Sequence, residues 1–450
     1  MVQGVNNRLA ALLLTGAVAL VLSACGNRDA AETEAAPPPP PAAAEAAPAP
    51  QAPPAFSESG LAAIDARLQA LVDNQDRSGI VLMLARHGEV EYVASAGFAD
   101  VASATPMAAD TPVRIASMTK PVTAAAIMIL VEDGVLDLSD PVSDFIPAFA
   151  NARVATDTAV NEAYEIPTEP LVRPITIADL LTHTSGIGYI FDYQTNLGAL
   201  YIAEDIYQGG TERTMDARME TLAELPLYFQ PGERWYYSYS NDVLGRVIEN
   251  ATGQSLEAFM QARIFEPLGM GDTTFFPDEA LLARVATLYT HDDVGDMVAV
   301  PGAQDALRSA PFAAGGAGLI STANDYMQFA QMLAHGGEWN GTRILSEDSI
   351  TAMTTPHIPL EKMPAGMASV DMAFGYSLGV IVDGPGAHPH QQVGDFGWGG
   401  YFDTNFVVSP STGMVALIMA QELPGATTGE TTAARDVFEA LAYGALPTES

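Results

Sequence analysis

Apolar residues recur at helical spacing over 61–72 (Leu61, Ile64, Leu68, Leu71), which predicts an amphipathic helix once the chain leaves a Pro-rich start. Residues 79–84 and 89–94 are apolar or alternating and flank Arg86-His87-Gly88, so they read as a hairpin. From Ser117 to Asp133 the chain is almost continuously apolar and ends at Gly134, the pattern of a buried helix with a glycine stop. Between about 150 and 300 most periodic pieces are helical: 177–182, 215–222, 241–251 and 256–264. Beyond them, 326–334 has helical spacing, whereas 374–382, 401–409 and 414–421 alternate and carry β-branched or aromatic residues, as strands do. A last helix is expected over about 431–441. Helices at both ends with strands late in the chain predict an α+β fold, an antiparallel sheet flanked by helices with an inserted, mainly helical subdomain at about 150–300.

The first residues follow other rules. Arg8 precedes an apolar run from Leu9 to Leu22, and Leu22-Ser23-Ala24-Cys25 closes it, so residues 1–24 read as an export signal. That closing tetrapeptide resembles the lipobox of bacterial lipoproteins. The resemblance implies a lipid on Cys25, a membrane anchor and a place in the cell envelope; Gly26 after Cys25 favours the periplasmic side of the outer membrane. Residues 25–55 are mostly Ala, Pro and Glu, lack a pattern able to bury a core, and are expected to be a disordered tether. The remaining 56–448 is then the globular domain.

Composition narrows the partners. The 450-residue chain has a formal net charge of -36, dispersed along its length, so nucleic acid and anionic lipid would be repelled. Cys25 is the only cysteine, which excludes an intramolecular disulfide and a catalytic thiol in the folded part. Lysine occurs only at Lys120 and Lys362, against 17 arginines. Arginine cannot give up its proton at working pH whereas a buried lysine can, so a retained lysine draws notice.

Lys120 sits in Ser117-Met118-Thr119-Lys120 at the expected helix start. Residues three apart share a helix face, which lets the amine lie against the Ser117 hydroxyl, and a helix N-terminus favours an oxyanion. Serine needs a base to attack at neutral pH, and a lysine in apolar packing can help to supply it. The spacing alone is also that of an N-cap serine followed by a solvated lysine.

The wider stretch 114–123, with Gly134 and Asp140-Pro141-Val142, resembles the serine β-lactamase and penicillin-binding protein superfamily. Further blocks fall in the family's order: Leu180-Leu181-Thr182-His183-Thr184-Ser185-Gly186, Tyr239-Ser240-Asn241, Gly316-Ala317-Gly318-Leu319 and Trp398-Gly399-Gly400. The resemblance implies a β-lactamase/transpeptidase-like fold and an acyl-enzyme on Ser117, with Lys120 and Tyr239 handling the protons. Tyr239 is preferred because Ser240-Asn241 completes the family's Y-x-N element; Tyr236-Tyr237-Ser238 fits a looser Y-x-S form. Asn241, Trp398, Gly399 and Gly400 are then expected to contact substrate, and the backbone N–H groups of Ser117 and Tyr401 to form the oxyanion hole.

Trp398 stands where β-lactamases carry the lysine of Lys-Thr-Gly. An apolar face replaces a cation there, and W-G-G resembles the family VIII carboxylesterases, so a small-molecule carboxylic ester is the expected substrate. The alternatives are a β-lactamase or D-amino-acid peptidase on cell-wall-like amides, and a non-catalytic envelope protein that binds cell-wall peptides or β-lactams. A competing nucleophile motif, Gly375-Tyr376-Ser377-Leu378-Gly379, is followed by Asp383, His388 and His390. It requires a strand, a sharp turn and a helix, whereas 374–382 reads as continuous strand. His388-Pro389-His390 is the one His pair near metal-ligand spacing and lies in a proline-bent loop, so no metal and no cofactor are expected. His183 reads as a structural hydrogen-bonding residue. No obligate protein partner is inferred.

Overall fold

The computed structural model describes residues 55–159, 166–208, 210–386, 388–423 and 433–447. The expected export signal, Cys25 and the expected tether up to residue 54 lie outside the described residues. Among the described residues, no helix is long and apolar enough to cross a membrane.

An eight-stranded sheet organises the rest. Its strands are β1 (Gly79–Arg86), β2 (Glu89–Asp100), β3 (Thr105–Pro106), β4 (Met372–Phe374), β5 (Gly379–Ile381), β6 (Phe396–Gly400), β7 (Thr404–Ser409) and β8 (Met414–Ala420), in the spatial order β4-β5-β6-β7-β8-β1-β2-β3. The pairs that join them are antiparallel; β1 meets β8 with Ile80 opposite Ala420 and Arg86 opposite Met414. The chain thus closes its last strands against its first, a non-local pairing that no local sequence pattern encodes.

Helices cover both faces. They include α1 (Glu58–Asp73), α2 (Thr119–Glu132), α3 (Ser240–Thr252), α4 (Ala323–Ala334) and α5 (Ala434–Gly444). Side chains of a strand alternate between faces, and β1 shows the consequence. Ile80, Leu82 and Leu84 pack with Ile64, Leu68 and Leu71 of α1 and Phe438 of α5. Val81 and Met83 face the other way, into the larger core with α2, α3 and α4. A strand buried on both sides reads as a continuous apolar run, which is how 79–84 appears in the sequence.

Four expectations shift. Ser117 does not open the long helix itself: a 3-10 turn at Ala116–Met118 carries it, and α2 starts at Thr119. Residues 374–382 are not one strand but the hairpin of β4 and β5, with Met372 opposite Ile381. The turn holds Ser377 at φ 59, and a Cβ on Gly375 would lie 2.1 Å from the Met353 carbonyl oxygen, so that corner needs glycine. The stretch at 401–409 becomes paired only from Thr404, because Tyr401 lies in the turn between β6 and β7. Between 150 and 300, helices such as Asn196–Ala203 and Met215–Glu224 alternate with short strand pairs (Arg153–Ala155 with Thr168–Pro170, Tyr289–His291 with Met297–Ala299). Their apolar faces, Leu197 and Leu222 among them, join the same core as Val81 and Met419.

Candidate active site

Four segments meet at Ser117. The first is the 3-10 turn itself, entered through Ala116 at φ 43, a left-handed conformation uncommon for a residue with a side chain. Its surroundings hold it there: the Ile115 N–H donates to the Leu319 carbonyl (3.1 Å), and the Tyr326 hydroxyl donates to the Met118 carbonyl (2.9 Å). Just upstream, the buried Arg114 guanidinium donates to the carbonyls of Ala286 and Ala303 and to the side chain of Gln304. Burial lowers it to about 10, still a cation at neutral pH.

One turn along, Lys120 is fully buried. Its Nζ donates to Ser117 Oγ at 3.2 Å and to the Gly316 carbonyl at 2.7 Å, and it lies 4.5 Å from the Tyr237 ring centroid. The i, i+3 spacing from the 3-10 turn into α2 therefore brings amine and hydroxyl together, as the sequence spacing implied.

The third segment leads into α3 and corrects the choice of tyrosine. Tyr237, not Tyr239, reaches the serine: its hydroxyl bonds to Ser117 Oγ at 2.7 Å. Tyr239 turns away at the N-cap of α3, and its hydroxyl donates to Asp205 at 2.7 Å. Burial first, and the Asp205 contact second, hold the Tyr239 phenol far above its ordinary range, so it is a poor candidate for a base. The physical reason is local. Tyr237 lies in the irregular segment before α3, whereas Tyr239 is the N-cap of that helix and is buried.

Asn241 is displaced by the same bend. It is fully buried, donating from Nδ2 to Ser377 Oγ (2.9 Å) and to the Lys120 carbonyl (3.4 Å), and it does not line the cavity described below. Ser377 is equally buried, its N–H donating to the Leu181 carbonyl, and strand β5 rather than a helix follows it. The competing nucleophile motif therefore lacks both access and the required turn into a helix. His183 lies beneath the site, with Nδ1 2.9 Å from Ser238 Oγ and its ring 4.9 Å from Tyr237. Burial, then the charge of Lys120, pushes it well below its usual pKa, leaving it neutral.

Strand β6 supplies the fourth wall. Its pairing with β5 covers only Phe396 and Gly397, which leaves that side of Trp398-Gly399-Gly400 open. A Cβ on Gly400 would meet the Ile115 carbonyl oxygen at 2.3 Å, so only glycine lets this strand end approach the turn that carries Ser117. That approach brings Tyr401 beside the serine; both line one cavity, and the Tyr401 backbone lies past the end of β6.

The cavity has a volume of about 720 Å³. Trp398 packs against Tyr237 (centroids 6.0 Å apart) and edge-on to Phe374 (5.2 Å), and half-buried it faces the cavity. Tyr189, Phe191, Tyr193 and Tyr207 complete a largely aromatic wall that the sequence reading did not assign. They are scattered over 189–207 without periodicity, so no sequence signal joins them. Among the described lining residues the one cation is Arg435, at the start of α5.

Comparison with known proteins agrees with this geometry. The family model described as Beta-lactamase matches residues 64–440. The chain is 34% identical to Esterase EstB of Burkholderia gladioli over 391 residues, covering 82% of this chain and 92% of that one. It is 32% identical to Lovastatin esterase of Penicillium rubens over 345 residues, covering 75% and 82%. Among solved structures, EstCE1, a hydrolase with promiscuous acyltransferase activity, superposes with a TM-score of 0.71 at 24% identity, over 86% of this chain and 99% of that chain. With most of its length matched and its sheet, helices and serine turn arranged as described, this chain belongs to the Beta-lactamase family.

Proposed function

We propose that the protein is a serine hydrolase that cleaves carboxylic esters through an acyl-enzyme on Ser117, with Tyr237 and Lys120 as its proton-handling pair. The observation that carries this reading is the convergence of Lys120 Nζ and the Tyr237 hydroxyl on one serine oxygen, at 3.2 and 2.7 Å, at the base of an aromatic cavity. Kinship with EstB and Lovastatin esterase supports an ester as substrate.

The chemistry follows from the placement. Tyr237 and Lys120 together accept the Ser117 proton as Oγ attacks the ester carbonyl carbon. The oxyanion that forms is taken by the backbone N–H groups of Ser117 and Tyr401, of which each donor contributes about 3 kcal/mol in comparable sites. The tetrahedral intermediate collapses, the bond to the alcohol breaks, and Tyr237 returns the proton to the leaving oxygen. Water then adds to the acyl carbon as Tyr237 takes its proton, the bond to Ser117 Oγ breaks, the acid leaves, and Tyr237 returns the proton to Ser117.

Substrate class rests on the wall. A carboxylate-bearing β-lactam or peptide would want a cation close to the nucleophile; here Trp398 occupies the strand beside Ser117, and Arg435 stands at the helix end. An aromatic face favours esters with apolar or aryl groups over anionic amides. Accordingly, turnover of a nitrophenyl ester exceeds that of nitrocefin and of a D-Ala-D-Ala peptide, and Ser117→Ala abolishes it. Trp398→Ala raises KM for an aryl ester about tenfold, on the order of 1.4 kcal/mol, with kcat less affected. Faster nitrocefin or peptide hydrolysis would reverse the substrate assignment.

A further inference from the structure

Asp242 is a buried carboxylate that the mechanism above does not use. It sits in the first turn of α3, 1% exposed, outside the cavity lining. One oxygen accepts the Gly316 N–H at 3.1 Å, and the other accepts the Tyr207 hydroxyl at 3.0 Å. The carbonyl of that same Gly316 accepts from Lys120 Nζ at 2.7 Å. Beside it, the Gly315 carbonyl accepts from Thr123 of α2 at 2.7 Å. The Gly315-Gly316 strip is thus clamped between α2 and α3, and it has no room for side chains: a Cβ on Gly316 would lie 2.4 Å from Asp242 Oδ2, and one on Gly315 2.5 Å from the Asn241 carbonyl oxygen.

We propose that Asp242 is a positioning residue for acylation: through Gly316 it holds Lys120 against Ser117 and, when ionised, supplies a negative charge that faces the lysine ammonium. This rests on the reading of Ser117 as nucleophile. A charge-assisted bond from the ionised carboxylate pins the Gly316 N–H, and with it the backbone whose carbonyl accepts from Lys120, so the hold on Lys120 loosens when that charge is lost. A buried ammonium with no carboxylate nearby would be costly, and Asp242 offsets part of that cost.

The charge on Asp242 can be read by pH. Facing it are Lys120 from α2, Tyr207 and Asp205 from the loop after Asn196–Ala203, Tyr189, and Tyr239 at its own helix cap. Burial holds the three phenols far above their ordinary range, so they stay neutral at working pH. Burial likewise raises the Asp242 carboxyl to about 6, while Lys120, the Gly316 N–H and the Tyr207 hydroxyl pull it back down. Since the ionised form is the one that holds Lys120, acylation weakens as pH falls through about 6.

The test measures the rate at which a fluorophosphonate labels Ser117 as a function of pH, which needs no natural ester. Wild-type labelling falls below about pH 6. Asp242→Asn labels about a hundredfold more slowly at neutral pH, with half-saturation by the probe within threefold of wild type, and loses the acid limb near 6. Tyr207→Phe keeps the charge but removes a bond that stabilises it, so its limb moves to higher pH. An Asp242→Asn variant with the wild-type limb or the wild-type rate overturns the proposal; if that variant does not fold, an unmoved limb in Tyr207→Phe does so. Failure of the functional reading looks different: wild-type protein labels normally on Ser117 yet turns over no ester.

Discussion

Tyr237→Phe lowers kcat/KM for a short-chain nitrophenyl ester by about a thousandfold, while Tyr239→Phe stays within about tenfold of wild type. Loss of a positioned acid–base group typically costs a hundred- to ten-thousandfold, and only Tyr237 has its hydroxyl on the serine oxygen. Tyr239→Phe instead strips a hydrogen bond from the buried Asp205, so its effect falls on stability, about 1–3 kcal/mol, read as a lower Tm. The two phenols lie two residues apart in sequence, and an exchange of their phenotypes would place Tyr239 rather than Tyr237 on the serine.

The second large effect belongs to Lys120. Lys120→Met removes the donor to Ser117 Oγ and to the Gly316 carbonyl, and with it the charge beside the Tyr237 ring. The serine proton transfer loses one of the two groups that receive it, so single-turnover acylation slows by about a thousandfold or more. Because methionine fills nearly the same space, circular dichroism and Tm identify any part of that loss owed to misfolding. Lys120→Arg does not rescue: guanidinium is bulkier and planar, and the fully buried site offers one carbonyl and one hydroxyl rather than a flat bidentate partner. Retention of acylation within tenfold in Lys120→Met would remove lysine from the reaction.

Much of this was legible in the chain, for identifiable reasons. Periodicity exposed α1 and α2, and the apolar run at 79–84 with its His87-Gly88 turn exposed the β1–β2 hairpin, because short-range geometry sets those patterns. The serine–lysine pairing was legible because the i, i+3 spacing holds across the step from the 3-10 turn into α2. What failed depended on where a segment bends in space. Tyr239 was preferred over Tyr237 from register, yet the choice is made by the helix cap at Tyr239, which turns that side chain toward Asp205. Asn241 followed the same error and faces Ser377 rather than substrate. Residues 374–382 read as one strand because the turn of the 372–381 hairpin, Gly375 to Leu378, keeps an apolar alternation. Asp242 drew no notice, since its importance arises from contact with Gly316, 74 residues later in the chain.

The central claim is covalent, and one measurement addresses it directly. The protein is mixed with a slowly deacylating nitrophenyl ester, quenched in acid within the burst, digested and mapped by mass spectrometry. The acyl mass falls on the peptide that carries Ser117 and disappears in Ser117→Ala. An acyl group found on Ser377, or ester turnover that survives in Ser117→Ala, would contradict it.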